Sequence, residues 1–269
     1  EAGRGPVLGS MVYTIACINI PSSDFDYTTS LTDIPVADSK VLTSTDRESI
    51  AELLNNLESF TSFSKAISAQ DISSQQLANE PLSLNDIAKS AVIQLINQVL
   101  SSFSISHIYV DTLGKPSFYK KFLTSEFPNI NFTVASKADS LYPIVSAASI
   151  VAKVKRDLLL KQDVGCDLSG YPADPKTKQW LNNNLCPVFG WGRHVRYAWS
   201  TAEILLNEKC VKVDWGDWGA VRVAGKKRRA GAKVKNNKGK GKQQTLTSMF
   251  VKKTVESRFG VVISRVPQY

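Results

Sequence analysis

Short β-branched or apolar runs alternate with amphipathic helical stretches from the first residues to about residue 210. A chain of this kind must build a sheet and pack helices on it, because each helix carries an apolar stripe that needs a flat apolar face to cover it. Residues 7–20, VLGSMVYTIACINI, read as a strand. Residues 46–58 start at Asp46 and place Ile50, Leu53, Leu54 and Leu57 at helical spacing. Residues 84–100 repeat that pattern, with Asn85 as the expected cap. HIYVD (107–111) reads as a strand that stops at Asp111, where Thr112-Leu113-Gly114 turns away. A helix over 116–126, a strand over 131–136 and a long helix over 142–160 follow. SGYPADPKT (169–177) is a loop dense in Gly and Pro, and helices near 175–184 and 199–209 close the folded part. The expectation is an α/β fold with a mixed sheet flanked by helices and a C-terminal helical extension.

Charge sets the limit of that folded part. From Arg222 to Lys242 there are ten Lys or Arg and no Asp or Glu. Subtracting these ten from a formal charge of +9 leaves the rest of the chain close to neutral. A like-charged block of this length is expected to be a solvated linker, and it also suits a nuclear address or a nucleic-acid arm. The expected divisions are 1–165 for the main domain and 166–219 for the C-terminal helical part with its Gly-Tyr-Pro loop. A basic segment, 220–242, and a tail, 243–269, follow. No uninterrupted apolar run approaches the ~18 residues of a membrane span, and no basic-then-apolar leader opens the chain, so neither membrane nor secretion is expected. The four cysteines, Cys17, Cys166, Cys186 and Cys210, have no metal-ligand spacing and read as reduced thiols. With only His107 and His194 available, any chemistry falls to carboxylates.

Two carboxylates stand out. On a helical wheel, Ile150, Val154, Ala147, Leu158 and Val151 share a stripe, and Asp157 lies at its edge. A charge there needs a partner. Either a neighbour such as Arg156 or Lys153 supplies it, or a metal ion does. Asp111 at a strand end is either a turn cap or a ligand for a hard cation. Glu1-Ala2-Gly3-Arg4-Gly5-Pro6 suits a tight turn, and equally a backbone that approaches a phosphate closely while Arg4 reaches it.

EAGRGPVLGSMVY, VADSK, YVDTLG, KADSLYPIVSAASIVAKVKRD and SGYPADPKTKQWL occur in that order, and together they closely resemble the type 2 ribonuclease H family. VFGWGRHVRYAWSTAEILL further resembles the catalytic subunit of the eukaryotic enzyme. The resemblance implies a ribonuclease H-like fold. It also implies an endonuclease that cleaves the RNA strand of RNA–DNA hybrids and incises 5′ to single ribonucleotides in duplex DNA, leaving 5′-phosphates. The family opens with an Asp-Glu pair, of which Glu1 matches the Glu; Asp111 and Asp157 match its other catalytic carboxylates. These three are the expected Mg²⁺ ligands, with Mn²⁺ as a substitute, and they should converge on one cation site. The Asp of the pair falls one position before Glu1, so the expectation for residues 1–269 alone is weak Mg²⁺ binding and slow cleavage. Gly3, Arg4 and Gly5 match the loop that reads the ribose 2′-hydroxyl, and Tyr171 the ring that stacks on the deoxyribose side of the junction. Lys40 matches a lysine that holds the backbone near the cut. Lys137, Ser146 and Ser149 are assigned to phosphate holding. The stretches 158–169 and 64–90 are shorter than the family's, and the first implies that part of a helix is missing.

The resemblance also implies two accessory subunits in a heterotrimer and a nuclear location. In the tail, Gln243, Leu246, Met249 and Phe250 approximate the motif that docks on the replication sliding clamp, with Met249 where an aromatic is preferred. The alternative there is packing on a partner protein, which FGVVISRV (259–266) also suits. A competing reading from another class is a non-catalytic nucleic-acid-binding relative with an incomplete metal site.

Overall fold

A computed structural model describes residues 1–18 and 42–211. Lys40, the basic segment and the tail with its clamp-like motif lie outside the described residues.

The first strand, β1 (Met11–Ile18), starts later than the 7–20 run expected for it, and 19–20 lie outside the described residues. Gly9, at φ +79, breaks the run, and the residues before it pair elsewhere. Ala2 bridges back to Val12, and Leu8 bridges to Val195. Helix α1 (Ser44–Asn55) begins earlier than Asp46, because Thr43 is the cap. The Thr43 hydroxyl accepts from the Asp46 amide at 3.2 Å, and the Asp46 carboxylate accepts from the Thr43 amide at 3.1 Å. Each satisfies a donor that the first turn would otherwise leave without a partner.

Strand β2 (Phe60–Ile67) and helix α2 (Ala69–Gln76) were not expected. Thr61, Ser62, Ser64 and Lys65 interrupt the apolar pattern of β2, yet it pairs antiparallel with β1 along its whole length, Met11 opposite Ile67 and Ile18 opposite Phe60. Together with the start of α3 these two elements account for the compact 64–90 stretch. Helix α3 (Leu84–Leu100) matches its expected span, but Ser83 caps it rather than Asn85. Strand β3 (His107–Asp111), helix α4 (Pro116–Glu126) and strand β4 (Asn131–Ala135) lie within a residue of expectation. β3 and β4 run parallel, with Asp111 opposite Ala135. The α/β class holds and both strand senses are present, although among the described residues the strands form two separate two-stranded ladders.

A four-residue helix, α5 (Ala138–Leu141), leads into α6 (Pro143–Val164). Helix α6 runs unbroken for 22 residues and stops at Gly165 in the left-handed conformation, ahead of the 169–177 loop. Its buried face includes Ala147 and Ile150 of the expected stripe, with Val151 and Val154 packed beside them. Ser146, Ala147, Ser149, Ile150, Ala152 and Leu160 point inward, whereas Leu158 is 53% exposed. Small side chains let α6 come close to the sheet: Ala152 packs with Ala2 and Val12, and Ala147 and Ile150 meet α1 and β2. A stripe chosen for its apolar residues misses Ser146 and Ser149, which are buried as well.

Helices α7 (Pro175–Asn183) and α8 (Ser200–Lys209) complete the described part. They share one core with the N-terminal segment, in which Val7, Leu8 and Leu160 pack against Leu181, Trp191, Val195, Ala202 and Leu206. Burial of this kind stabilises by about 1.5–3 kcal/mol per large aliphatic side chain, and here it ties residues either side of position 165 together. All four cysteines are free thiols. Among the described residues no helix is long and apolar enough to cross a membrane.

Candidate active site

A cleft of about 1590 Å³ opens between the N-terminal loop, the end of β3 and the middle of α6. Glu1, Gly3, Arg4, Gly5, Asp111, Asp157, Tyr171 and Ser149 all line it, so most of the residues singled out from the sequence meet in one place. Arg47, Lys153, Arg156 and Asp139 line it as well. Ser146 is buried off the cleft, and Lys137 is exposed but does not line it.

Asp111 is the last residue of β3. Its Oδ1 accepts from its neighbour, the Thr112 amide, at 3.1 Å and from the Ala138 amide at 3.2 Å. The turn-cap alternative is therefore realised. The second bond draws the start of α5 against the strand end and sets Asp139, which follows Ala138, beside Asp111. Lys137 makes this approach possible. At φ 56 it is the one non-glycine with positive φ among the described residues, and it reverses the chain between β4 and α5. Such a conformation costs roughly 1–2 kcal/mol. The nitrogen of Glu1 lies within electrostatic reach of the Glu1 carboxylate, Asp111, Lys153 and Asp139. Burial, and secondarily the Glu1 carboxylate, pushes the hydroxyls of Tyr13 and Tyr119 well above their ordinary range.

Asp157 is engaged differently. Arg156 Nη2 stands 2.9 Å from its Oδ1 and Arg47 Nη2 3.7 Å from its Oδ2. The ion-pair alternative is thus the observed one. Asp139 is the carboxylate that sequence reasoning passed over, although it stands in KADSLYP, inside a block already matched. Its signal was topological. β3 and β4 are parallel neighbours, so the segments that leave them emerge at the same edge, and Asp111 and Asp139 follow those two strand ends.

The opposite wall is built from glycine. Gly3 has φ +81, and a Cβ there would lie 2.7 Å from the Ser10 carbonyl oxygen. A Cβ on Gly5 would come within 3.1 Å of the Tyr171 ring. These two positions bring the bare backbone of the loop to the cleft and against the tyrosine. Arg4 reaches back to Asn85 Oδ1 at 2.5 Å and faces Glu1 at 4.0 Å. Tyr171 is 41% exposed. Arg156 lies over its ring at 5.8 Å and donates to the Ser169 carbonyl at 2.9 Å. Ser169 in turn donates to Asp174, and the bonds from Ser169 hold the Asp174 carboxylate far below the usual carboxylate range. The Gly-Tyr-Pro loop is thereby fixed from below.

The model of the ribonuclease HII family matches residues 1–202. The chain belongs to the ribonuclease HII family. Among curated relatives, a ribonuclease H2 subunit from Mus musculus is 41% identical over 228 residues, covering 81% of this chain and 74% of that protein. The Arabidopsis thaliana protein of the same name is 42% identical, covering 80% and 74%. Ribonuclease H2 from Pyrococcus horikoshii has a similar structure, with a TM-score of 0.64 and 31% identity over 77% of this chain and 95% of that one. The structure of the PCNA:RNase HII complex from Archaeoglobus fulgidus is also similar, with a TM-score of 0.57 and 28% identity over 68% and 83% of the two chains. As a ribonuclease HII family member the chain is a ribonuclease H-type endonuclease. Ribonucleases H use divalent metal ions. Among the described residues no three His, Cys, Asp or Glu are close enough to hold an ion by themselves. The donors fit in kind, because Asp111, Asp139 and Glu1 offer hard oxygens at a water-open cleft. Mg²⁺ takes one or two carboxylates and fills its remaining positions with water and substrate phosphate.

Proposed function

We propose that the chain cleaves the RNA strand of RNA–DNA hybrids and incises duplex DNA 5′ to single ribonucleotides, leaving 5′-phosphates. The observation that carries this reading is the meeting of the Gly3-Arg4-Gly5 backbone, the Tyr171 ring and the Asp111–Asp139 pair in one cleft. The three parts match the three tasks of such a reaction. A bare backbone can hydrogen-bond a 2′-hydroxyl, the group that separates RNA from DNA. An exposed ring beside it can stack on the neighbouring sugar or base. Arg4, Lys153 and Arg156 supply positive charge along the path of the phosphates.

Glu1, Asp111 and Asp139 would hold Mg²⁺, with Mn²⁺ as a substitute. When bound, the ions supply an activated water and neutralise the leaving oxygen. Asp157 serves the site through Arg156 and Arg47, which it holds at the cleft wall. Ser149, which lines the cleft, is the serine suited to a phosphate oxygen.

The relatives are named as subunits of ribonuclease H2, which supports a multi-subunit assembly for this chain, with two accessory subunits as the expected number. The archaeal PCNA complex supports sliding-clamp docking through residues 243–250, and the basic run 222–242 supports a nuclear location. The direct test uses a duplex carrying one ribonucleotide, with an all-DNA duplex as control. Mg²⁺-dependent incision on the 5′ side, giving a 5′-phosphate and sparing the control, is the expected result. Cleavage of both duplexes would remove the role assigned to the glycine loop, and cleavage of neither would remove the reading.

A further inference from the structure

Arg196 is fully buried, yet its three hydrogen-bond acceptors are all backbone carbonyls of the N-terminal loop. Its Nη2 donates to the Gly3 carbonyl at 2.6 Å, its Nη1 to the Arg4 carbonyl at 3.1 Å and its Nε to the Gly9 carbonyl at 2.9 Å. Its guanidinium lies 4.9 Å from the centre of the Trp199 ring. The indole Nε1 of Trp199 donates to the next carbonyl in line, that of Gly5, at 3.0 Å. Three successive loop carbonyls are thus captured from one side by two side chains that lie more than 190 positions away in the chain.

A trans peptide unit points its C=O and the following N–H in opposite directions. No cis peptide occurs among the described residues. Capture of the Gly3 carbonyl therefore turns the Arg4 amide away from Arg196, and capture of the Arg4 carbonyl turns the Gly5 amide the same way. The Gly5 carbonyl shares its unit with Pro6, which has no N–H. Among the described residues, neither the Arg4 nor the Gly5 amide donates to another backbone carbonyl. The result is a pair of adjacent donors held on the face of the loop opposite Arg196, and Gly3, Arg4 and Gly5 line the cleft.

We propose that Arg196, assisted by Trp199, is a positioning residue that aims the Arg4 and Gly5 amides into the cleft and thereby sets the discrimination for a ribonucleotide. The proposal rests on the functional reading given above. It explains an expensive feature. A buried guanidinium with only neutral acceptors is a poor stabilising device, since an apolar side chain of similar volume would fill the space at lower cost. Burial, with the Arg156 charge nearby, pushes Arg196 down to about 10, so it remains a cation at neutral pH and all its donors stay available. The planar fork of arginine is also the group whose donors match several fixed acceptors at once, which lysine cannot do. The backbone is anchored independently of this side chain, through Arg196 N–H to the Val7 carbonyl and Gly9 N–H to the His194 carbonyl, both at 2.8 Å. Replacing the side chain therefore leaves the bridge between the two segments in place.

The test compares the full chain with Arg196→Lys and Trp199→Phe on a duplex carrying one ribonucleotide and on an all-DNA duplex. Amide resonances of Arg4 and Gly5 are followed in parallel. Arg196→Lys should lower kcat about 10²-fold, the scale of a misplaced positioning group, with KM within about twofold of the parent. The Arg4 and Gly5 amides should shift while those of α8 stay in place. Trp199→Phe, which removes one donor and keeps the ring, should lower kcat by a smaller factor in the same direction. Parental kcat in folded Arg196→Lys overturns the proposal. If Arg196→Lys does not fold, parental kcat in Trp199→Phe overturns it instead. Should the parent show no preference for the ribonucleotide duplex, the functional reading falls. The amide positions then still decide the matter, and unmoved Arg4 and Gly5 resonances in either folded variant overturn it.

Discussion

The two walls of the cleft are held by different physics. On the glycine side, Gly3 to Gly9 are fastened by hydrogen bonds from Arg196, Trp199 and the His194–Arg196 backbone, and packed on a core that includes Leu160 and Leu206. On the carboxylate side, Asp111 ends a two-stranded ladder and accepts from the Ala138 amide, which draws the residue before Asp139 to the strand end. One wall is rigid before any ligand arrives. The other gathers carboxylate oxygens that would hold a cation. The recognition wall is thus preorganised by a buried guanidinium, an indole and backbone groups, and the reactive wall is completed by what it binds.

The carboxylate wall should respond most strongly to mutation. Asp139→Asn and Asp111→Asn are each expected to lower kcat by about 10³-fold or more, since several kcal/mol of charge stabilisation go with the metal, while hybrid binding is retained. Asp157→Asn is expected to fall well short of that loss, because this carboxylate holds Arg156 and Arg47. A larger effect from Asp157 than from Asp139 would favour Asp157 as the metal ligand, as expected from the sequence. On the glycine wall, Gly3→Ala places a Cβ against the Ser10 carbonyl at positive φ. It should cut activity about 10²-fold through misplacement, measured as kcat with the melting temperature followed alongside. Tyr171→Ala should weaken incision at a single ribonucleotide by about tenfold, within the range for loss of one stacking contact, and long-hybrid cleavage by less. Equal losses on both substrates would mean that the ring does something other than stack at the junction.

Away from both walls the effects should be smaller. Deleting 222–242 should flatten the salt dependence of nucleic-acid binding, because ten cations no longer displace counterions. An unchanged slope would leave the segment as an address only. Asp46 is held below its ordinary range, chiefly by the Thr43 hydroxyl and amide. A folded-state value below the unfolded one stabilises above about 3.8 and is lost as pH falls through the lower folded value. The parent should therefore lose slightly more stability than Thr43→Ala over that acid window, read as melting temperature against pH.

Much of this arrangement was legible in the residues, and the gaps have physical causes. Segments with continuous apolar patterns, α3, β3, α4 and β4, were placed within a residue, because their spacing alone determines which face is buried. β2 escaped because Thr, Ser and Lys occupy positions that pairing with β1, not side-chain burial, keeps extended. The capping residues Thr43 and Ser83 were missed in favour of Asp46 and Asn85, although both start a Ser/Thr-x-x-Asp pattern. On the site side, motif order located Glu1, the glycine loop, Asp111 and Tyr171. Asp157 was taken from its place on a wheel and from a matching block, and Asp139 was not weighed; the wheel found Ala147, Ile150, Val151 and Val154 on the packed face of α6 but also included Leu158, which is exposed. The roles of Arg196 and Trp199 depend on contacts across most of the chain, which no local pattern announces.

Amide hydrogen exchange, with and without Mg²⁺, tests the contrast between the walls most directly. Segments 3–9 and 194–199 should exchange slowly and equally in both conditions. Segments 111–114 and 137–142 should slow only when Mg²⁺ is added. If the two sets slow together, or if the glycine loop exchanges freely until Mg²⁺ arrives, the recognition wall is not preorganised and the account is wrong.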